Sequence, residues 1–572
     1  MSFWFRVVWS RRRVFAALLL AAAFVPRTSS AHVVSMSVPE MAAASPHVVV
    51  ATVEGRQSRW NEQHTLIVTD YTLRVEERLR GEAPERISFT VPGGTVGRIS
   101  DDLCLSVRLE PGARYLLFLG ELGHPGLTPV TGAGQGMFRE IHGGFVARGE
   151  GSSPVLLKEK PVRFRDLVGA VRAVVASTPL APRLPEKADP QLPSKIWDPS
   201  PGRIAGSAPP LEAPETVVAP TLPADAPAAE EIVGWAPAVA PRRPVGKFVY
   251  EDLARLPIVV NPLPADSPFS PWDQYEMSYW NRYGGEIYRV ADPPSPSWSF
   301  GNGVFDMAGF PDSLTLVREF GFDWSEAGQG VLAFTSRRRK DGVTIEADVA
   351  FNPNKPWTVD DADALRAGRP YAFKEVALHE LGHVWGLDHP WETQEVWWDS
   401  VMNYKSKRFY VGELFADDTS AVRDAHPPGV PLRDGLVNGY VTAYTGIFQF
   451  VEYFPAHPSV VQVKAGGTFN MVGPIKIENV GTVALANPAL EVYLAPTMLS
   501  FEGAVLVKRA KVKGKVPSGA TQRVNLGSLR VPRGTPPGTY FLAFFLRDPK
   551  DAYQGNNGAW SSEEVTLEVT GR

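Results

Sequence analysis

Cysteine is almost absent: Cys104 is the only one in 572 residues. No intrachain disulfide can form, and no cysteine near the N-terminus could carry a lipid. An exported chain of this size without disulfides fits a bacterial source better than a eukaryotic one. Neither sign of charge dominates, with 58 Lys and Arg against 62 Asp and Glu and a net charge of -4. Without a basic excess to follow a phosphate backbone, nucleic acid is not an expected partner. Long apolar runs are missing too, apart from Val14 to Val25, which is short of the ~20 residues that span a bilayer. Arg11 to Arg13 precede this run and Ser29 and Ala31 follow it. Residues 1–31 therefore read as a signal peptide cleaved after Ala31. The expected address is secreted, periplasmic or cell-surface, with no membrane span.

The remaining chain divides by composition. Residues 32–175 hold alternating stretches such as "HVVVATVEG", "DYTLRVEERL", "RISFTVPGG" and "RYLLFLGEL". Tyr71, Leu73 and Val75 share one face, as do Ile87, Phe89 and Val91, which predicts an all-β domain. Cys104, within "DDLCLSVRL", reads as a small buried apolar residue. Residues 176–245 are rich in Pro and Ala and cannot bury enough apolar surface to offset chain entropy, so a semi-rigid linker is expected. In 246–428, "LPIVVNP" predicts a strand and "SPWDQYEMSYWNRYGG" a helix ended by Gly284, with Trp272, Tyr275, Tyr279 and Tyr283 on one packed face. "TIEADVAFNP" predicts a strand with one buried face. Residues 429–572 show short strands at regular spacing, the pattern of a β-sandwich.

The stretch from 379 to 389, "HELGHVWGLDH", holds three of the ten histidines. "YAFKEVALHELGHVWG" reads as one helix through about Trp385, which puts His379 and His383 on one face a turn apart. Glu380 lies beside the first of them, placed to hold a water rather than a metal. Gly386 can take the positive φ that ends the helix and turns the chain, so that His389 can supply a third nitrogen. Three imidazoles and one open position describe a catalytic zinc site, because structural sites close with four protein ligands. The spaced pattern H-E-x-x-H-x-x-G-x-x-H would arise by chance in on the order of one such chain in 10⁵.

With "SVMNY" at 400–404, this pattern resembles the metzincin zinc peptidases, closest to serralysins and matrixins. The resemblance covers about 250–427. It implies that His379, His383 and His389 bind Zn²⁺, that Glu380 is the general base, that Met402 forms an apolar floor, and that Tyr404 contacts the metal or the oxyanion. Serralysin calcium repeats and the matrixin cysteine-switch motif are missing. The N-terminal strand order is faintly similar to netrin-type inhibitor barrels, and "ENVGT", "PPGTYFLAFFLRD" and "GNNG" resemble bacterial cell-adhesion-related sandwich modules. The expected fold is thus multidomain: an N-terminal all-β barrel-like domain, a central α+β metzincin catalytic domain and a C-terminal immunoglobulin-like β-sandwich.

Function follows as an expectation: a secreted zinc-dependent endopeptidase acting on protein or peptide substrates. The alternative is a non-catalytic adhesion or binding protein on a metzincin scaffold. "TIEADVAF" is the expected edge to which a peptide adds as a strand. Ca²⁺ is a further candidate at Asp360 and at Asp417 and Asp418, although acidic loops or helix starts explain these equally. The domain order allows the first domain to hold the enzyme latent or to direct it to a target.

Overall fold

The computed structural model describes the chain from residue 36 onward. The principal stretches outside the description are 123–128, 150–155, 181–219, 233–255, 360–370, 390–399, 403–413 and 445–458, with shorter ones between. The signal segment and most of the linker therefore lie outside the described residues. Among the described helices, none is long and apolar enough to cross a membrane. The chain is β-rich, with several sheets and few helices.

The first unit contains helix α1 (Val38–Ala44), strands β1 (His47–Trp60), β2 (Ile67–Arg80), β3 (Arg86–Pro92), β4 (Gly94–Val96), β5 (Ile99–Leu103), β6 (Arg114–Leu119), β7 (Met137–Ile141) and β8 (Phe145–Arg148), and helix α2 (Phe164–Ser177). Six strands form a sheet in the order β3-β2-β1-β6-β7-β8. Alternation along the strands sorts its two faces. Val49, Ala51, Tyr71, Leu73, Ile87 and Val91 pack on one face, as the sequence pattern predicts. Val48, Val50, Leu116 and Phe118 face Met41 of α1 and Val168, Val171 and Val175 of α2. Two features differ from expectation. Residues 164–177 are helical, and the hydrogen-bonded order ends at β3 and β8 rather than closing into a barrel among the described residues.

The second unit comprises β9 (Ile258–Asn261), α3 (Trp272–Gly284), β10 (Tyr288–Val290), β11 (Phe305–Gly309), α4 (Ser313–Phe320), β12 (Ala333–Lys340), β13 (Val343–Phe351), α5 (Phe373–Trp385) and α6 (Ala416–Ala425). Its sheet order is β10-β9-β11-β13-β12-β5-β4. Strands β9, β10, β11 and β13 run parallel, β12 runs antiparallel to β13, and β5 of the first unit pairs antiparallel with β12. Two expectations are corrected here. "TIEADVAF" is β13, enclosed between β11 and β12, so it offers no edge to a peptide. It is also buried on both faces: Glu346 and Asp348 are 1% exposed, like Ala347. The second face is covered because Leu66, Val68 and Leu103 of the first unit join Phe300, Leu316, Phe320, Trp324 and Phe334 in one apolar cluster over it.

Helix α3 packs on α5, with Trp280 Nε1 donating to Leu378 O at 3.0 Å. Tyr279 and Tyr283 are buried as the stripe predicts, and Trp272 and Tyr275 lie outside the described side chains. Burial pushes the Asp273 carboxyl up to about 6 from 3.8, against the opposing pull of the Leu263 and Gln274 N–H groups. The folded state therefore binds the proton more tightly, so this group's contribution to stability falls as pH rises from about 4 to about 7. Asp273→Asn is expected to be increasingly stabilising across that window, reaching at most about 3 kcal/mol. Melting midpoints from pH 4 to 8 check this, and a pH-independent difference would contradict it.

The C-terminal strands Val505–Val512, Ala489–Ala495, Gly538–Arg547, Val565–Thr570 and Ser459–Lys464 are consecutive neighbours in one sheet. A smaller sheet runs Gly435–Gly439, Ile475–Asn479, Thr521–Val524. Leu490, Val492, Leu542 and Phe544 share an apolar core with Ile475 and Ile477, and the same core continues into α3 and α5. Tyr283 OH donates to Asp434 Oδ2 at 3.0 Å, and Ala416 N donates to Glu478 Oε2 at 3.0 Å. Glu230–Ile232, within the Pro/Ala-rich stretch, adds a parallel strand beside Val505–Val512.

Candidate metal centre

Helix α5 is buried from Val376 to Trp385, including His379, Glu380 and His383 at 0% exposure. Gly386 ends it at φ 110°, and its N–H reaches back to Gly382 O and His383 O. That left-handed turn, which a residue without Cβ adopts readily, swings His389 back to the helix. The three Nε2 atoms then stand 3.1 Å (His383 to His379), 3.2 Å (His379 to His389) and 3.2 Å (His383 to His389) apart.

The outer nitrogens set the protonation of two rings. His379 Nδ1 lies 2.7 Å from Val401 O and His383 Nδ1 lies 2.7 Å from Leu387 O. A carbonyl can only accept, so both Nδ1 atoms carry the proton and both Nε2 atoms present lone pairs. Two buried lone pairs converging on a third imidazole nitrogen repel one another unless a cation lies among them. Three nitrogens at ~2.0–2.1 Å from one tetrahedral zinc stand about 3.3 Å apart, close to the observed triangle. The donor set therefore fits zinc.

Glu380 adjoins this triangle through His383. Thr335 Oγ1 of β12 donates to Glu380 Oε2 at 2.6 Å. Cys104, just past β5, directs its Sγ to the same oxygen at 3.8 Å. Ligand atoms of Cys104, Glu380 and His383 all lie within 4.8 Å of one another. Cys104 packs on the apolar cluster as the sequence suggests, and its place beside Glu380 is additional to that reading. Strand β5 carries Cys104 out of its own sheet, where Cys104 N donates to Thr335 O at 3.1 Å and Thr335 N to Sγ at 3.0 Å. Burial first, and the Glu380 charge second, push the Cys104 thiol well above its ordinary pKa.

Met402 is buried at 2% exposure beneath α5. A Cβ on Gly382 would collide with Met402 Sδ and lie 3.0 Å from Trp280 Cζ2, so the first glycine of "HELGHVWGLDH" is a packing requirement. Gly382→Ala is expected to lower stability by about 1–3 kcal/mol through overpacking, despite alanine's better helix propensity. A melting midpoint at or above that of the parent would contradict this.

Asp418 lies at the start of α6. It is 1% exposed and accepts from Ser400 Oγ at 2.6 Å, Val401 N at 2.7 Å and Phe415 N at 3.0 Å. Burial raises its pKa although these donors pull it down. Its oxygens hold the methionine turn, so the calcium reading of this residue is set aside. The Asp417 side chain, Asp360 and Tyr404 lie outside the described residues.

Thr335, Gly382 and the position of Cys104 were missed from sequence, and Asp418 was singled out only as a calcium candidate or a helix start. Of the three missed, only Gly382 left a signal, as a glycine tolerated inside an otherwise strong helix. No curated protein matches the chain. The family model described as Matrixin matches residues 321–426, from before β12 through α6, which marks that segment as a metzincin-like domain of a family whose members depend on zinc.

Proposed function

We propose that this chain is an exported zinc endopeptidase. The observation that carries the proposal is the triangle of His379, His383 and His389 Nε2 atoms, buried and directed at one point, with the Glu380 carboxylate beside it. Zinc, when held there, polarises a peptide carbonyl and lowers the pKa of water from 15.7 to about 7. Glu380 accepts the proton of the attacking water and delivers it to the departing amine nitrogen. Thr335 Oγ1, bonded to Oε2, restricts the carboxylate to one orientation and leaves Oε1 to exchange the proton. Met402 and Trp280 exclude water from beneath the ligand helix. Tyr404, two residues beyond Met402 in "SVMNY", is assigned to the oxyanion.

Export follows from the segment 1–31, and its expected destination is the periplasm, the cell surface or the medium. The finer fold reading, an inhibitor-like first domain and an immunoglobulin-like last one, belongs to the same proposal. For the last domain it rests on two sheets that share one apolar core, whereas the sheet of the first domain is open among the described residues. Removal of metal with a chelator is expected to abolish casein cleavage, and one equivalent of zinc per chain to restore it. A chain that keeps cleaving after all zinc has been removed would refute the proposal.

A further inference from the structure

The outer edge of β12 is the flank of the central sheet nearest Glu380, and it is strongly basic: Arg337, Arg338, Arg339 and Lys340 are consecutive. Strand β5 covers it with "ISDDL", pairing Ser336 with Leu103, Arg337 with Asp102, Arg338 with Asp101, Arg339 with Ser100 and Lys340 with Ile99. Each aspartate meets the arginine opposite. Asp102 Oδ2 accepts from Arg337 Nη2 at 2.8 Å, and Arg337 Nη1 also donates to His383 O at 3.2 Å. Asp101 takes a two-point bond from Arg338, Nε to Oδ1 at 2.7 Å and Nη2 to Oδ2 at 2.8 Å. Arg337 is 2% exposed and Asp101 3%. At the far end of β5, Arg98 pairs with Asp341, and at the near end the strand stops where Cys104 reaches Glu380.

We propose that β5 is a built-in surrogate substrate. It occupies the groove in which a peptide adds to β12, and it shows what that peptide carries: acidic side chains at the positions of Asp101 and Asp102, three and two residues before the one that reaches Glu380. Arg338 and Arg337 are the specificity-determining residues for that acidic pair, and cleavage requires β5 to leave. The physical reason is that both guanidinium groups stay in place when β5 departs. An incoming strand with acids in this register restores both charge pairs and the ladder, whereas a neutral or basic strand leaves the two guanidinium groups without a carboxylate opposite. This inference rests on the peptidase reading, and its test can fail separately from that reading.

The test uses the full zinc-loaded chain, whose only thiol, Cys104, reports on β5. Asp101→Lys with Asp102→Lys sets like charges against Arg338 and Arg337. Labelling of Cys104 by a thiol reagent is expected to accelerate roughly tenfold or more over the parent. A labelled synthetic peptide of residues 99–103 is expected to bind this variant, and its Lys-Lys counterpart to bind at least roughly tenfold more weakly. In a peptide library, cleaved sequences are expected to be enriched in Asp and Glu at the two matching positions. Asp101→Asn with Asp102→Asn, which keeps shape and removes charge, carries the same measurements if the lysine variant fails to fold. Unchanged thiol labelling, equal binding of the two peptides, or a parent that cleaves as fast as the variants would each overturn the proposal. A variant that labels faster and prefers the acidic peptide yet cleaves nothing would sustain the surrogate and reject the peptidase.

Discussion

Glu380→Gln is expected to lower peptide cleavage by on the order of 10²–10⁴-fold while the chain retains one zinc. The side chain is fully buried and hydrogen-bonded to Thr335, so the substitution must preserve shape for the loss to be read as chemistry. Glutamine does so: its carbonyl oxygen can accept from Thr335 Oγ1, and its volume matches. What it cannot do is accept the proton of the attacking water or hand it on. The three imidazoles that hold zinc are untouched, since two of them are oriented through Val401 O and Leu387 O and neither bond involves Glu380. Zinc content and cleavage are measured on the same sample. If zinc is lost with activity, Glu380 serves the metal's binding rather than the reaction. If activity survives, the general-base assignment fails and the non-catalytic scaffold reading gains ground.

What the sequence shows and what it hides at this site differ in range. His379, His383, Gly386 and His389 lie within eleven positions on a helix and its turn, so helical geometry and one left-handed residue determine their meeting. The apolar faces of β1, β2 and β3 were legible for the same reason, since a period of two fixes which residues share a side. Thr335 meets Glu380 across 45 residues because β12 packs beside α5, and Cys104 meets both only because β5 of the first unit joins the second sheet. The 231 residues between Cys104 and Thr335 obey no local period. "TIEADVAF" misled for a related reason. Its alternation of apolar with acidic residues looked like one wet face, but Glu346 is met by the N–H groups of Gly301 and Asn302, at 2.5 and 2.9 Å, on a face that the first unit covers. Alternation reports polarity, and polarity indicates exposure only when no other element supplies partners.

The placement of β5 also changes how the three units relate. Composition suggests beads on a linker, yet the first unit supplies two strands to the central sheet and an apolar cluster over one of its faces. Arg338 stands at that junction, bonded to Asp101 and to Thr65 O at 2.5 Å and stacked 4.6 Å from the Phe300 ring centroid. Breaking any one of these contacts leaves the others, so release of β5 demands a change that acts on the whole junction, such as charge reversal on the strand or competition by a matching peptide.

Asp418→Ala is expected to be the most damaging substitution outside the ligands, lowering stability by about 3–5 kcal/mol and zinc affinity about 10–100-fold. One carboxylate satisfies Ser400 Oγ, Val401 N and Phe415 N, and Met402 N lies 3.4 Å away. Each buried donor left without a partner costs roughly 1–3 kcal/mol, and water cannot readily reach a site where Asp418 is 1% exposed. The effect on zinc travels by a definite path: Asp418 fixes Val401 N, the same residue's carbonyl takes the His379 Nδ1 proton, and that bond orients the first ligand. Asp418→Asn should be milder, because one amide oxygen can keep one or two of the three donors while its NH₂ faces the remainder. A zinc titration and a thermal melt on the same preparations separate the two consequences. Loss of stability with unchanged zinc affinity would confine Asp418 to packing the turn, and loss of neither would show that the turn holds its shape through Met402 and Gly382 alone.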